Sequence, residues 1–374
     1  MFIFARSLGI FIYFFSSLFF LMLVSKIKKS QLKLIVSLYL FTLTVMAYFY
    51  EPYLTSDLYR IRVYVRDYAM MSWSEFFIAM RYSSSDLSST PVAMLYYRLI
   101  GFLKNDGMIA AISCLIVYGI IFYMIIDYKE RMKISNKVFS LVLFWLISMD
   151  YFMPVIATIR SYLAATLVVL SIYRENIKNK FGIINIFLYT MAFFLHSLGV
   201  GLVLFRLFCY FLQKGASIYI KIIRFIIILI SIFVMIYFRS FIETSVIKAI
   251  NYIKNDIYSY VWEWLLCLIQ TGIFFIIIKR AKKLELFQKI PVLKKYEKIC
   301  GLSELLLIVF NISFAFLQRF CFFVNILYLP ISMQLLEANM RMNTKQINKI
   351  IFYLSIVVYA LTCSRGYLCS LKFW

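Results

Sequence analysis

MIAAISCLIVYGIIFYMII, residues 108–126, runs without a charge and is closed by Asp127-Tyr128-Lys129-Glu130-Arg131. At about 1.5 Å per residue the run makes a helix of about 28 Å, close to the thickness of a bilayer's hydrocarbon layer. Similar runs recur along the whole chain of 374 residues. Hydrophobic residues make up 64% and charged residues 15% of it, against about 45–50% apolar and about 25% charged in ordinary globular chains. That composition excludes a soluble domain, and no polar stretch between the runs is long enough to fold alone. The expected fold is all-α, a polytopic transmembrane helix bundle forming a single integral membrane domain over residues 1–374. The first run, 8–24, has Arg6 as its only basic n-region residue and ends in Ser25-Lys26-Ile27-Lys28-Lys29. It lacks small residues at a cleavage site and reads as a retained helix.

Basic clusters set the threading, because short loops rich in Lys and Arg stay on the cytoplasmic side. Six stand out: Lys26/Lys28/Lys29/Lys33, Lys129/Arg131/Lys133/Lys137, Arg174/Lys178/Lys180, Lys214/Lys221/Arg224, the run from Lys279 to Lys298, and Arg341/Lys345/Lys349. If all six lie on one side, an even number of crossings separates each neighbouring pair. The intervals 138–173, 182–212 and 302–336 are each about 46–54 Å of helix, too long for one straight crossing and short for two. Bent or shallow helical hairpins are expected there. Arg160 beside Pro154, His196 in Phe194-Leu195-His196-Ser197 and Arg319 in Leu317-Gln318-Arg319-Phe320 fall near their tips, facing an outward, water-filled dent. Together with 8–24, 34–50, 108–126, 225–238, 258–278 and 350–364 the count is about 12 spans, within a range of about 11–14, with both termini outside. Residues 91–103, in an outer segment covering about 51–106, form a short stretch with Tyr96, Tyr97 and Arg98. It reads as a re-entrant or interfacial helix. No internal repeat of the kind that marks many transporters is visible.

On this threading the inner clusters are mostly lysine, while basic residues outside or within the spans are mostly arginine: Arg60, Arg62, Arg66, Arg81, Arg98, Arg160, Arg206, Arg239, Arg319 and Arg365. Lysine is a hydrated point charge, whereas the planar guanidinium binds phosphate oxygens bidentately and keeps its charge when partly buried. An outward cavity ringed by arginine suits a polyanionic ligand. The plainer reading is that interfacial arginines snorkel to membrane-lipid headgroups. Asp57 and Arg60 stand three apart and share one helical face. They can pair with each other, or Asp57 can meet a hydroxyl while Arg60 meets a phosphate. Tyr59 and Tyr64 are placed to stack against a sugar ring, with Glu51 counted beside them as a substrate contact. The plainer alternative is a capped amphipathic helix with an internal ion pair. His196, the only histidine, is either an interhelical hydrogen-bonder or a general base near neutral pH. No spacing suits a metal, and no phosphate-binding glycine loop or redox motif is present. The seven cysteines sit mostly in or beside apolar runs as small hydrophobes. Cys363 with Cys369 is the one pair to consider for a disulfide.

Pro52-Tyr53-Leu54-Thr55-Ser56-Asp57-Leu58-Tyr59-Arg60 resembles the D-L-Y-R motif of the EpsG-like and Wzy polysaccharide polymerases. Ile159-Arg160-Ser161-Tyr162-Leu163-Ala164 is similar to that family's R-x-Y-L-A stretch, Phe194-Leu195-His196-Ser197 to its H-x-S element, and Gln318-Arg319-Phe320 to a late arginine. Ile61-Arg62 departs from the aromatic residues that often follow D-L-Y-R. The resemblance implies a GT-C-like bundle in a bacterial inner membrane. Its activity would be that of a glycosyltransferase joining undecaprenyl-diphosphate-linked oligosaccharide repeat units at the periplasmic face, independent of metal and nucleotide. Arg160 and Arg319, assisted by Arg60, would bind the diphosphate. His196, or second to it Asp57, would take the acceptor's proton. No cofactor and no nucleic acid is implied; a chain-length regulator is a possible partner. An O-antigen ligase using the same donor, or a lipid-linked oligosaccharide flippase, are the alternatives.

Overall fold

The computed structural model describes residues 16–17, 19–21, 23–26, 31–52, 54, 56–82, 90–148, 152–211, 261–311 and 313–341. All the regular structure among them is helical: α1 (Leu32–Tyr48), α2 (Asp57–Met70), α3 (Trp73–Tyr82), α4 (Pro91–Gly101), α5 (Met108–Met132), α6 (Asn136–Ser148), α7 (Phe152–Ala157), α8 (Ile159–Asn176), α9 (Ile183–Leu195), α10 (Ser197–Phe211), α11 (Val261–Lys283), α12 (Leu286–Lys289), α13 (Pro291–Phe310) and α14 (Phe314–Arg341). Met108–Met132, Trp264–Lys283 and Phe314–Met340 are each long and apolar enough to cross a membrane. Leu32–Tyr48, Asn136–Ile147, Ile183–Leu195 and Ser197–Tyr210 are shorter apolar helices. The expected crossings at 225–238 and 350–364, most of the one at 8–24, the cluster Lys214/Lys221/Arg224, Arg239, Arg365 and the Cys363–Cys369 pair lie outside the described residues.

Local chemistry accounts for several boundaries. Pro91 and Pro291 open α4 and α13, where a missing amide proton leaves no bond unmade. Ser72 and Glu75 cap α3 reciprocally, the Ser72 hydroxyl accepting from the Glu75 amide at 3.2 Å and the Glu75 carboxylate from the Ser72 amide at 2.7 Å. Helix α5 stops at Lys133, whose φ of 54° is left-handed.

Ion pairs and hydrogen bonds at the helix ends give the directions. Lys33 pairs with Glu130 at 3.1 Å, Lys178 pairs with Asp127 at 3.3 Å, and Lys295 donates to Asn179 at 2.6 Å. The Glu337 carboxylate accepts from the Ser135 amide at 3.1 Å and hydroxyl at 3.0 Å. These contacts gather the starts of α1, α6 and α13 and the ends of α5, α8 and α14, so that members of four of the six basic clusters share one lysine-rich end. At the opposite end Asn105 donates to the Tyr48 hydroxyl at 2.6 Å, Arg66 pairs with Asp106 at 3.3 Å, and Trp264 donates to Asn311 at 3.0 Å. There lie the ends of α1 and α13, the starts of α5 and α11, and all of α2. Lys104, Arg60, Arg62 and Arg66 are among the basic residues at this end.

Two of the expected hairpins are described at their turns. Helices α9 and α10 reverse through one extended residue, His196, with φ −163° and ψ 152°. Helices α13 and α14 reverse between Phe310 and Phe314, with Ser303 bonded to Tyr328 at 2.8 Å and the Phe310 ring 5.0 Å from that of Phe320. In the interval 138–173 the helix is interrupted at Thr158, between α7 and α8. Helix α8 is central, packing against α5, α7, α9, α10, α13 and α14.

Helix α8 is tied to its neighbours by a buried charge cluster. Arg206 of α10 donates to one Glu175 oxygen through Nε at 2.9 Å and Nη2 at 2.5 Å, and the Tyr189 hydroxyl of α9 donates to the other at 2.8 Å. The guanidinium also lies over the Tyr210 ring, 4.1 Å from its centroid. Arg206, one of the arginines expected outside or within the spans, therefore belongs to a structural pair near the lysine-rich end, because a buried cation is retained where a carboxylate compensates it. Replacing Arg206 by Met leaves Glu175 as an uncompensated buried charge. We expect a loss of about 3–5 kcal/mol, read as a lower thermal midpoint of the purified protein in detergent, and recovery of most of it in the double variant Glu175→Gln/Arg206→Met.

Candidate functional site

At the end opposite the lysines, α2 begins with Ser56 as its N-cap, the hydroxyl accepting from the Tyr59 amide at 3.3 Å. Asp57 follows in the first turn and forms an ion pair with Arg60 one turn later. The capped helix with an internal pair is thus the arrangement present. Leu58, Ile61, Val65 and Tyr68 form the buried face of α2. Helix α4 crosses that face closely at Gly101, where an added Cβ would lie 2.8 Å from both the Val65 carbonyl oxygen and the Ala69 Cβ. Arg62, half-buried, donates to the Tyr50 carbonyl at 2.6 Å. Burial lowers its pKa, opposed by the charges of Asp106 and Glu51, and a guanidinium stays charged regardless.

Arg160 lies in the first turn of α8, just after the break at Thr158. Two phenols of the α2–α4 unit sense it. Tyr68 is pushed up to about 12 by burial and by Tyr64 and Asp67, with the Arg160 charge acting against the shift. Tyr97 is fully buried and lies in the field of both Arg160 and Asp57. Asp57 pairs with Arg60 at the start of α2, and Tyr97 of α4 lies within electrostatic reach of both Asp57 and Arg160.

The His196 turn reaches the same part of α8. Gly199 permits it, since a Cβ there would stand 1.8 Å from the Ala192 carbonyl oxygen and 3.2 Å from the Ala164 Cβ. Ala164 is one turn beyond Arg160, so the turn abuts the Arg160 face of α8. The His196 Nδ1 accepts from the Leu198 amide at 3.0 Å. A ring nitrogen that accepts carries no proton, so a neutral imidazole presents N–H at Nε2. The acceptor nitrogen is thus engaged at the start of α10.

Arg319 departs from its expected place at a hairpin tip. The turn is at 311–313, and Arg319 stands inside α14, half-buried, because the apolar Phe314-Ala315-Phe316-Leu317 already continues the helix. It remains at the same end of the bundle. Phe322, one turn on, packs on Tyr162 of α8 with ring centroids 4.5 Å apart, which sets Arg319 level with the start of α8. Tyr64 stacks on Tyr68 at 6.0 Å, which occupies one face of a ring expected to meet sugar. Tyr59 is partly exposed and Glu51 exposed at the rim.

Sequence reasoning overlooked Tyr68 and Tyr97 as members of this constellation, since a tyrosine in an apolar helix carries no positional signal. The Tyr97 hydroxyl has no hydrogen-bond partner among the described residues. Among the same residues no group of three or more His, Cys, Asp or Glu side chains could hold a metal ion, and Cys114, Cys209, Cys267, Cys300 and Cys321 are buried and form no disulfide with one another. The arrangement offers cations, hydrogen-bond donors and the carboxylates of Asp57 and Glu51, which suits an anionic ligand with hydroxyl groups. No protein-family model, curated protein or solved structure matches the chain. Tyr97→Phe removes a buried hydroxyl that makes no bond, so the expected result is a gain in stability of about 1 kcal/mol, seen as a raised thermal midpoint; a lowered midpoint would show that the hydroxyl is satisfied.

Proposed function

We propose that the protein is a Wzy- or EpsG-like polysaccharide polymerase, a glycosyltransferase that joins undecaprenyl-diphosphate-linked oligosaccharide repeat units. The observation that carries this reading is the separation of Arg160, Arg319, Asp57 and the His196 turn from the lysine-rich end of the bundle. The positive-inside rule favours a cytoplasmic lysine-rich end, which supports reading the arginine-bearing end as the periplasmic face of a bacterial inner membrane. About 12 spans, counting those outside the described residues, complete the bundle.

In the reaction, a hydroxyl oxygen of the acceptor's nonreducing-end sugar bonds to the donor's anomeric carbon as the bond from that carbon to the diphosphate breaks. Undecaprenyl diphosphate leaves with the bonding electrons. Arg160 and Arg319, with Arg60 assisting, stabilise the charge that develops on it. Their guanidinium forks match phosphate oxygens, as an ammonium does not. The acceptor's proton goes to the Asp57 carboxylate, which shares the neighbourhood of Arg160. His196 serves as an Nε2–H donor to substrate oxygen, because its other nitrogen holds the start of α10. This reverses the order of preference between His196 and Asp57 that the sequence suggested. Tyr59 and Glu51 remain the sugar contacts at the rim.

Loss of one preorganised donor to a developing anion costs about 10²–10³ in rate. Arg160→Ala, Arg319→Ala and Arg160→Lys are each expected to abolish long polymer in a lipopolysaccharide ladder while the protein still inserts; wild-type ladders from all three would refute the assignment. In a null strain, single repeat units still capping the lipid A core identify a polymerase, and uncapped core identifies a ligase. Asp57→Asn is expected to lose more activity than His196→Gln, measured as elongation of lipid-linked units by the purified protein. The reverse order would return the proton to His196.

A further inference from the structure

The α3–α4 unit carries an apolar ribbon with a fixed shape. Leu95 and Leu99, four apart on α4, lead to Phe102, whose ring centroid is 6.0 Å from that of Trp73. Trp73 stacks on Phe77 at 5.9 Å, and Ile78 continues the ribbon along α3. These six side chains are 38–57% exposed. Beneath them lies Arg98, 2% exposed. Its guanidinium carbon stands 4.1 Å from the Trp73 ring centroid, 4.9 Å from that of Phe76 and 5.6 Å from that of Phe102, and it donates to the Tyr68 carbonyl. A cation enclosed by three rings and anchored to backbone holds those rings in place. The sequence reading of Arg98 as a headgroup-seeking arginine is replaced by this structural role.

The position of the ribbon says what covers it. Helix α4 packs on α2, α5 and α9 through its other sides. Its outward stripe therefore continues the apolar surface of the bundle, where Leu115 of α5 is also exposed. Helix α3 lies at the end where α5 begins, the depth at which hydrocarbon gives way to headgroups. Tryptophan is enriched at that depth, and an in-plane helix buries its apolar side to about 5–10 Å. Arg81, on the exposed side of α3, is long enough to reach headgroup phosphates while its stem stays among the chains.

We propose that this ribbon is seated in the leaflet at the arginine-bearing end of the bundle, with α3 lying in the membrane plane and Trp73, Phe77 and Ile78 among the upper acyl chains. The occupant is the bilayer's own phospholipid. Two residues separate α3 from α2, so the anchor holds Asp57, Arg60 and Arg62 near the plane of lipid phosphates. The inference rests on membrane insertion alone and stands or falls apart from the polymerase reading.

The test uses the full chain in nanodiscs of phosphatidylcholine brominated either at a shallow or at a deep acyl position. The emission of Trp73 is taken as the difference between the wild type and Trp73→Phe. The expected result is loss of most of that emission with shallow bromines and a smaller loss with deep ones. As a second measurement, Ile78→Cys is spin-labelled, and its label signal over that of the unsubstituted chain should relax faster with oxygen than with a water-soluble nickel chelate. Unquenched, red-shifted Trp73 emission, or a label at position 78 that favours nickel, would overturn the proposal. Cross-linking of Phe77→Cys between two copies in place of quenching would overturn it in favour of a dimer contact.

Discussion

Hydrocarbon offers no hydrogen-bond partner to a peptide group, and this constraint governs the whole molecule. A chain that is 64% hydrophobic must satisfy its backbone within helices and send its charges to the helix ends or into pairs. The described structure obeys both requirements. Its described regular structure is helical, most of its described lysines gather at one end, and Glu175 and Arg206, charged groups that do enter the interior, compensate each other. Polar contacts between helices are correspondingly specific, as when the Trp145 indole donates to Asn325 at 3.0 Å across α6 and α14.

Segregating charge in this way leaves the opposite end free for other chemistry. Helices α8, α10 and α14 all begin there, so residues near their starts lie at one end of the bundle without a dedicated domain. Short hairpins make this economical. Helix α9 has 13 residues, too few at about 1.5 Å each to cross a layer of about 30 Å upright, and its turn at His196 consequently falls against α8 near Arg160. Gly199 is what lets that turn close.

The arginines at this end have divergent uses, which local sequence does not distinguish. Arg98 is sunk beneath three aromatic rings, Arg62 is bonded to a carbonyl at the end of α1, Arg66 faces Asp106, and Arg60 faces Asp57. Arg160, in the first turn of α8, and Arg319, in the second turn of α14, are set apart by position. The same guanidinium serves as a structural pin or as a candidate ligand group according to what surrounds it.

Apolar run lengths and the placement of lysine were enough to indicate an all-helical chain with membrane-length apolar helices, the common end of four of the basic clusters and the reversal at His196, whereas the turn expected at Arg319 falls before it. Those features follow from transfer energies and helix rise, which are additive along the chain. Which phenols would face Arg160, which His196 nitrogen would be engaged, that Arg206 would meet Glu175 and that Arg98 would be enclosed were decided only by packing. Each of these depends on the rotation of one helix against another. A single residue's shift turns a helix by about 100°, and in an interior that is apolar on nearly every side the sequence carries too weak a pattern to specify that angle.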